Sequence, residues 1–201
     1  MKERPILFSG PMVRAILTGR KTQTRRILKP QRDRDGFLFG PDYVANEFQY
    51  GDNTVRCPYG QPGDRLWVRE AWTHCDRCGR TDYQADVNKP RNCRHCDASL
   101  GNWKPSIHMF REASRITLEI ISIRAERLND ISEEDAKAEG IHKIAHGRSG
   151  YYYSAFNKEP DPKNWCHPCS AYKELWESIN GRGSWDLNPW VWVVEFKEVK
   201  P

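Results

Sequence analysis

The stretch WVWVVEF, residues 190–196, repeats its apolar pattern every two residues. One set of alternate positions holds Trp190, Trp192, Val194 and Phe196, and the other holds Val191, Val193 and Glu195. Successive side chains of a β-strand point to opposite faces of the sheet. The pattern therefore predicts a final strand that is buried on at least one face.

Other strands are predicted upstream of this segment. β-Branched residues dominate residues 115–123, which indicates a central strand. Residues 61–64, QPGD, are a strong turn signal, and residues 66–68 are expected to leave that turn as a strand. Residues 33–57 show little periodicity, so we interpret them as loop with one short strand at residues 43–48.

Three helices are predicted, each bounded by a start signal and a glycine. Their signals are Ser9-Gly10-Pro11 and Gly19 for the first, the Ser132 to Asp135 capping box and Gly140 for the second, and Ser170 and the turn at residues 181–183 for the third. The third helix is expected to end near Ile179, with Tyr172, Leu175 and Trp176 on its apolar face.

The predicted order of elements is helix, strands, helix, helix, strand, with no repeated strand–helix–strand unit. This order favours an α+β fold, namely a small closed β-barrel, antiparallel or mixed, with peripheral helices. The 201 residues are consistent with one domain over residues 1–201.

The charge of the chain is mildly positive, with 32 Lys and Arg against 27 Asp and Glu and a formal net charge of +5. Such a surplus suits an anionic partner, although an ordinary solvated surface gives the same total. The N-terminal region is the most basic, and phosphate is its natural counter-charge. Its cations are Arg14, Arg20, Lys21, Arg25, Arg26, Lys29, Arg32 and Arg34.

The first five residues are charged and lead into no long apolar run, so we expect no signal peptide. No window approaches the ~20 apolar residues that a membrane span requires. We therefore expect a cytoplasmic protein without a membrane partner.

Four of the seven cysteines form two Cys-x-x-Cys pairs, Cys75 with Cys78 and Cys93 with Cys96. Fourteen residues separate the pairs, a spacing close to that of zinc ribbons and knuckles. We expect a structural Zn²⁺ held by four Cys in an insertion at residues 73–104. Four thiolates leave no open position for catalysis. Unrelated reduced thiols, or an iron–sulfur or redox role, are the alternatives.

The remaining cysteines are Cys57, Cys166 and Cys169, and they show no complete ligand pattern. They could hold a second metal, but reduced thiols near a core are the simpler interpretation. Basic residues decorate the knuckle, and a contact with nucleic-acid phosphates is a secondary hypothesis. They are Arg77, Arg80, Lys89, Arg91 and Arg94.

The first predicted helix is followed by the motif Gly19-x-Lys21-x-x-Thr24-x-Arg26. This motif resembles the Gly-x-Lys-x-x-(Glu or Thr)-x-Arg signature of ASCH domains, which are PUA-like barrels. The resemblance includes the turn at residues 62–64, the helix that ends at Glu139 and Gly140, and the C-terminal strand. It spans most of the chain apart from the insertion.

Within that superfamily, the chain is most similar to short bacterial amidohydrolases that deacetylate N(4)-acetylcytidine. Their site is a Lys and a Thr of the motif and a Glu of a later helix, which implies catalytic roles for Lys21, Thr24 and Glu139 here. This chain is about twice as long as those enzymes. It also resembles uncharacterised ASCH proteins of bacteriophages and prophages.

The chemistry of these side chains is consistent with the resemblance. A Thr hydroxyl becomes a good nucleophile when a base removes its proton, and Lys21 can do so only when neutral. Burial or the cationic neighbours Arg25 and Arg26 would favour that form. Glu139 would orient Lys21 or shuttle a proton to the leaving amine, and Arg26, with Arg25, would hold substrate or the developing oxyanion.

Two other interpretations remain open. Residues 21–26 are expected on a solvent-facing turn or strand edge, where they could be an ordinary basic surface, and Glu139 could be an ordinary surface carboxylate. The protein could instead be a non-catalytic RNA- or DNA-binding module, or a nuclease, that uses the same basic cleft. Trp67, Trp72 and Trp103 could then stack on bases, although packing in the core is their more usual role.

Overall fold

The computed structural model describes residues 1–29, 31–32, 38–39, 42–44, 47–50, 53–86, 92–146, 150–155 and 166–199. The α-helices in this part are α1 (Gly10–Leu17), α2 (Glu133–Ala138) and α3 (Pro168–Asn180). The strands are β1 (Glu3–Leu7), β2 (Gln23–Ile27), β3 (Gln31–Arg32), β4 (Leu38–Phe39), β5 (Asp42–Val44), β6 (Glu47–Tyr50), β7 (Asn53–Val55), β8 (Arg65–Arg69), β9 (Trp72–His74), β10 (Thr81–Tyr83), β11 (Thr117–Arg127), β12 (His142–His146), β13 (Gly150–Ser154) and β14 (Trp190–Glu198). Short 3-10 helices cover Gln84–Asp86, Ser106–His108, Arg111–Ala113 and Leu128–Asp130.

A five-stranded sheet in the order β1-β8-β11-β14-β2 forms the centre of the fold. The β1–β8 pair is parallel and the other pairs are antiparallel. β11 is central, as predicted, but it continues to Arg127 because its last residues still pair with β14. A register shift between Ile120 and Ser122 leaves Ile121 between two paired positions, 52% exposed.

The α+β class is confirmed, whereas a closed barrel is not. In the part of the chain that the structure describes, no backbone pairing joins the edge strands β1 and β2. A side chain links these edges instead, because Arg26 on β2 donates to the carbonyl oxygen of Leu7 on β1 at 2.6 Å.

β14 is buried on both faces, whereas its sequence pattern predicted burial on at least one face. Trp192, Val194 and Phe196 pack in the core on the α1 side, and Val191 and Val193 pack against α2 and α3. The register pairs Val193 with Arg25 and Val194 with Thr24. Paired residues of adjacent strands share a face. Arg25 therefore faces α2 and α3, and Thr24 faces the α1 side.

The three predicted helices form close to their expected bounds. At α2, Ser132 Oγ accepts a hydrogen bond from the Asp135 backbone N–H at 3.0 Å, as a capping residue should. Gly140 ends this helix with a φ of +102°, and a Cβ there would lie 3.2 Å from the Cβ of Ala15. A glycine is needed at this position because α2 meets α1 and Lys21 there.

The segment at residues 31–55 differs from its prediction. β5 and β6 are separate strands of a small sheet, β5-β6-β7, in place of one short strand at residues 43–48. Arg34, Lys89 and Arg91, which were among the predicted basic residues, lie outside the described residues. None of the described helices has the length and apolar character needed to cross a membrane.

Candidate active site and metal centre

Lys21 and Glu139 form a buried ion pair that joins two distant parts of the chain. Lys21 Nζ lies 2.6 Å from Glu139 Oε2 and donates to the Glu139 carbonyl oxygen at 2.9 Å. A backbone bridge between the same two residues aligns them, and the side chains are 0% and 2% exposed. The predicted position of Lys21 on a solvent-facing turn was wrong, because α2 and its C-terminal glycine cover it.

Two opposing effects act on the pKa of Lys21. Burial lowers the pKa of Lys21, and the neighbouring Arg26 and Arg25 act in the same direction. Glu139 opposes this effect on the Lys21 pKa, although it does not outweigh burial. The amine of Lys21 therefore loses its proton more readily than that of a lysine in water, and a base must be in that neutral form.

Arg25 holds the carboxylate of Glu139 from the other side. Its side chain is 0% exposed, and its guanidinium contacts Glu139 at 3.3 Å, Asp135 at 3.0 Å and Glu126 at 3.1 Å. Burial alone would lower the pKa of Arg25, but Glu139 and the other anionic neighbours raise it above its usual value. These contacts favour a role in orienting Glu139 over a direct contact with substrate.

The network continues to Arg124, which sequence reasoning did not identify as part of the site. Arg124 contacts Asp135 at 3.0 Å and Glu126 at 3.0 Å, and it also pairs with Glu195. Asp135 was predicted only as a helix-capping residue, yet its carboxylate bridges Arg25 and Arg124. The one available signal was the alternation of β11, which places Arg124 and Glu126 on the same face.

Thr24 and Glu139 line one pocket of about 200 Å³ at the edge of the sheet. Arg25, Arg26, Tyr172 and Trp176 line it as well. The structure thus brings Thr24 and Glu139 to a common cavity, while Lys21 lies behind Glu139. Lys21 Nζ donates to Glu139 and makes no hydrogen bond to Thr24.

Two residues that line the pocket, Arg26 and Trp176, each carry a buried N–H donor. Arg26 Nε and Trp176 Nε1 have no hydrogen-bond partner among the described residues. A buried donor without a partner costs about 1–3 kcal/mol, so these two atoms are unusual within the network. Trp176 was predicted only as part of the apolar face of α3. A buried indole N–H usually has a hydrogen-bond partner, and this was the signal that Trp176 could have a role besides packing.

Four cysteines form a second candidate site, in the insertion. The Sγ atoms of Cys75, Cys78, Cys93 and Cys96 all lie within 4.8 Å of one another. The Cys75–Cys96 and Cys78–Cys93 sulfurs are 3.5 Å and 3.6 Å apart. A disulfide requires about 2.05 Å. Sulfurs bound tetrahedrally at about 2.3 Å would lie about 3.8 Å apart. The cluster could therefore hold a metal ion.

The two Cys-x-x-Cys turns have the same backbone geometry. The Gly79 N–H donates to Cys75 O at 2.8 Å, and the Asp97 N–H donates to Cys93 O at 3.0 Å. Gly79 and Asp97 both have positive φ, +71° and +56°. The backbone N–H of Cys78 contributes most to lowering the pKa of Cys75 to about 7, which favours the thiolate at that position. Burial raises the pKa of Cys93 to about 12, so the four thiols of the cluster are not equivalent.

Ion pairs and backbone bonds tie the insertion to the sheet. Trp72 and Lys104, at its two ends, exchange backbone hydrogen bonds of 3.2 Å and 2.8 Å. Arg94 pairs with Asp86, and Asp86 also contacts Arg115 at 2.7 Å. Arg94 is thus already engaged by a carboxylate, which weakens the hypothesis that it contacts phosphate.

The tryptophans considered as stacking platforms are mostly unsuited to that role. Trp67 and Trp72 are 8% and 3% exposed and pack inside the protein, whereas Trp103 is half-buried.

The other cysteines do not form a second metal site in the described part of the chain, where the four-Cys cluster is the only such group. Cys57 packs against the core, and burial raises its pKa to about 11, while Cys166 is exposed.

Comparisons with protein-family models, with curated proteins and with solved structures gave no match to this chain. The resemblance to ASCH domains therefore rests on the motifs in the sequence.

Proposed function

We propose that this protein is an amidohydrolase of the ASCH type, with a PUA-like core, that removes an acyl group from the exocyclic amine of a cytosine nucleoside such as N(4)-acetylcytidine. One observation carries the proposal. Thr24 shares a pocket with Glu139, and Glu139 is bonded to Lys21, a buried amine whose pKa is lowered chiefly by burial. A hydroxyl, a carboxylate and an amine in this arrangement can support nucleophilic acyl transfer.

In the proposed reaction, Thr24 Oγ1 attacks the carbonyl carbon of the acyl group. The bond from that carbon to N4 breaks, the acyl group remains on Thr24, and N4 leaves as the free amine of cytidine. Water then releases the acyl group as a carboxylic acid. The Lys21–Glu139 pair accepts the Thr24 proton and returns it to N4, so that the proton count balances.

The two unpartnered donors of the pocket fit this substrate. The acyl oxygen becomes negative as Thr24 attacks, and Arg26 Nε would stabilise it. Cytosine presents acceptors on its pairing edge, and Trp176 Nε1 would donate to one of them. Tyr172 and Trp176, which are 2% and 3% exposed, form part of the apolar wall of the pocket.

Incubation of the purified protein with N(4)-acetylcytidine tests the proposal. We expect cytidine and acetate in equal amounts, measured by liquid chromatography, and no release from N(4)-methylcytidine, which lacks an acyl carbonyl on N4. A protein that releases no cytidine would rule out this activity and leave nucleic-acid binding or nuclease activity as the alternatives.

For the four-Cys cluster we propose a structural Zn²⁺. Four thiolates in a tetrahedral arrangement suit zinc, and they leave no position for a water molecule. The ion would fix the two Cys-x-x-Cys turns and take no part in acyl transfer. Its binding would stabilise a polar insertion, from which Tyr83 packs against the small apolar cluster of Trp72, Met109 and Ala113.

Metal analysis of the purified chain tests this assignment. We expect about one zinc per chain, since four ligands complete one tetrahedral ion. Cys78→Ser should lose most of that zinc, because three thiolates bind more weakly than four. Cys166→Ser, which alters an exposed thiol outside the cluster, should retain it. Equal zinc content in the two variants would contradict the assignment. Visible absorbance together with bound iron would identify the metal as iron instead of zinc.

A further inference from the structure

A second cavity, here called the basic cleft, lies on the other side of the turn at residues 57–60. Its volume is about 610 Å³, and it is lined by Lys2, Arg4, Arg56, Gly60 and Asp64, among others. Three of these side chains are cations and one is a carboxylate. None of them has a role in the acyl transfer proposed above.

The single carboxylate of the basic cleft is already neutralised by its neighbours. Asp64 Oδ1 accepts from the Lys2 backbone N–H at 2.7 Å, and Asp64 Oδ2 accepts from Arg4 at 2.9 Å. Among the described residues, the Lys2 side chain has no ion-pair partner. Lys2 and Arg56 are both exposed. The cleft therefore has a net positive charge and is suited to an anion.

One turn of the chain separates the basic cleft from the pocket that contains Thr24. Tyr59 lines the pocket, and its neighbour Gly60 lines the cleft. Adjacent Cα atoms are about 3.8 Å apart, so the two cavities lie next to each other. Gly60 has a φ of +127°, and a Cβ there would lie 2.7 Å from Arg4. Only glycine lets the turn come this close to the Arg4–Asp64 pair.

We infer that the basic cleft binds a phosphate of the substrate, so that the protein acts on an acylated cytosine nucleotide in preference to the free nucleoside. This inference rests on the proposed function. A base in the pocket would direct its sugar across the turn, and the attached phosphate would reach Lys2 and Arg56. The phosphate can belong to a mononucleotide or to a polynucleotide, since both present the same anion.

The experiment compares kcat/KM for four substrates: N(4)-acetylcytidine, its 5′- and 3′-monophosphates, and a short oligoribonucleotide with one N(4)-acetylcytidine. We expect kcat/KM for at least one phosphate-bearing substrate to exceed that for the nucleoside by about tenfold. Charge-assisted hydrogen bonds to a phosphate contribute about this much to binding. The Lys2→Ala/Arg56→Ala variant should lose most of that gain and keep the rate on the nucleoside. Lys173→Ala, which removes a cation on α3 that pairs with Asp186, should keep both the gain and the rate on the nucleoside.

Several outcomes decide the inference. A gain confined to the oligoribonucleotide supports it and identifies a polymer as the substrate, whereas a gain shared by a monophosphate identifies a nucleotide. Equal rates for all four substrates, or a gain that survives in Lys2→Ala/Arg56→Ala, would overturn it and leave the amidohydrolase intact. If no substrate is hydrolysed, calorimetry with cytidine 5′-monophosphate and cytidine still tests the cleft. Tighter binding of the monophosphate that the double variant abolishes supports the phosphate site, and equal binding refutes it.

Discussion

Thr24→Ala is expected to lower kcat/KM for N(4)-acetylcytidine by about three orders of magnitude or more, as removal of a nucleophile does in other acyl-transfer enzymes. In the proposed reaction the hydroxyl carries the acyl intermediate, and neither Arg26 nor Glu139 supplies an equivalent hydroxyl. Thr24 is 2% exposed, so Thr24→Val, which keeps the shape of the side chain, provides a second test with little change in packing. Cytidine release under saturating and limiting substrate gives kcat and KM separately.

Thr22→Ala is the matched control for this substitution. Thr22 is exposed and bonds to the Ala138 carbonyl oxygen only through its backbone N–H, at 2.9 Å. The activity of Thr22→Ala should stay near that of the wild type. Thr24→Ser, which keeps a hydroxyl, should retain part of the activity. If Thr24→Ala and Thr24→Val hydrolyse the substrate as fast as wild type, there is no acyl-Thr intermediate. A water molecule activated by the Lys21–Glu139 pair would then be the nucleophile.

Lys21→Met is expected to lower the free energy of unfolding by about 3–5 kcal/mol, the usual cost of breaking a buried ion pair by removing one partner. Among the described residues, it leaves the buried Glu139 carboxylate with Arg25 alone as its ion-pair partner. The double variant Lys21→Met/Glu139→Gln should regain a large part of that stability, because it removes both charges. Both variants should lack amidohydrolase activity. Urea unfolding followed by tryptophan fluorescence measures the first effect, and cytidine release measures the second.

The exposed pair of Lys173 and Asp186 is the control for this double-mutant cycle. Its atoms lie 3.2 Å apart with side chains that are 42% and 73% exposed, so Lys173→Met should change stability by less than about 1 kcal/mol. A Lys21→Met variant as stable as the wild type would mean that the buried pair is not ionised. Recovery of stability without recovery of activity in the double variant separates a role in catalysis from a role in folding.

Several elements predicted from local patterns agree with the structure, although the strand predicted at residues 43–48 does not. Ser132 caps α2, residues 190–196 form a strand, and the two Cys-x-x-Cys pairs converge, because each of these signals is contained in a short window. The convergence of Lys21 with Glu139 followed only from the resemblance to ASCH domains. No local pattern connects residues that are 118 positions apart.

The burial of cations was the main feature that the sequence did not predict. Lys and Arg are rarely buried without partners, so residues 21–26 were expected on the surface. The carboxylates that allow Arg25 to be buried come from Glu126, Asp135 and Glu139, all more than 100 residues away. Strand β1 was missed for a related reason. Its sequence ERPIL carries charges and a proline, and it is a strand because it pairs with β8.

The long sequence separation of Lys21 and Glu139 also determines when their ion pair can form during synthesis of the chain. Synthesis delivers the lysine and its neighbour Arg25 well before residues 126–139 exist. During that interval both cations are hydrated, because their acidic partners have not yet been made. The nascent chain can therefore assemble this pair only after α2 has emerged, so the buried ion pair forms late in translation.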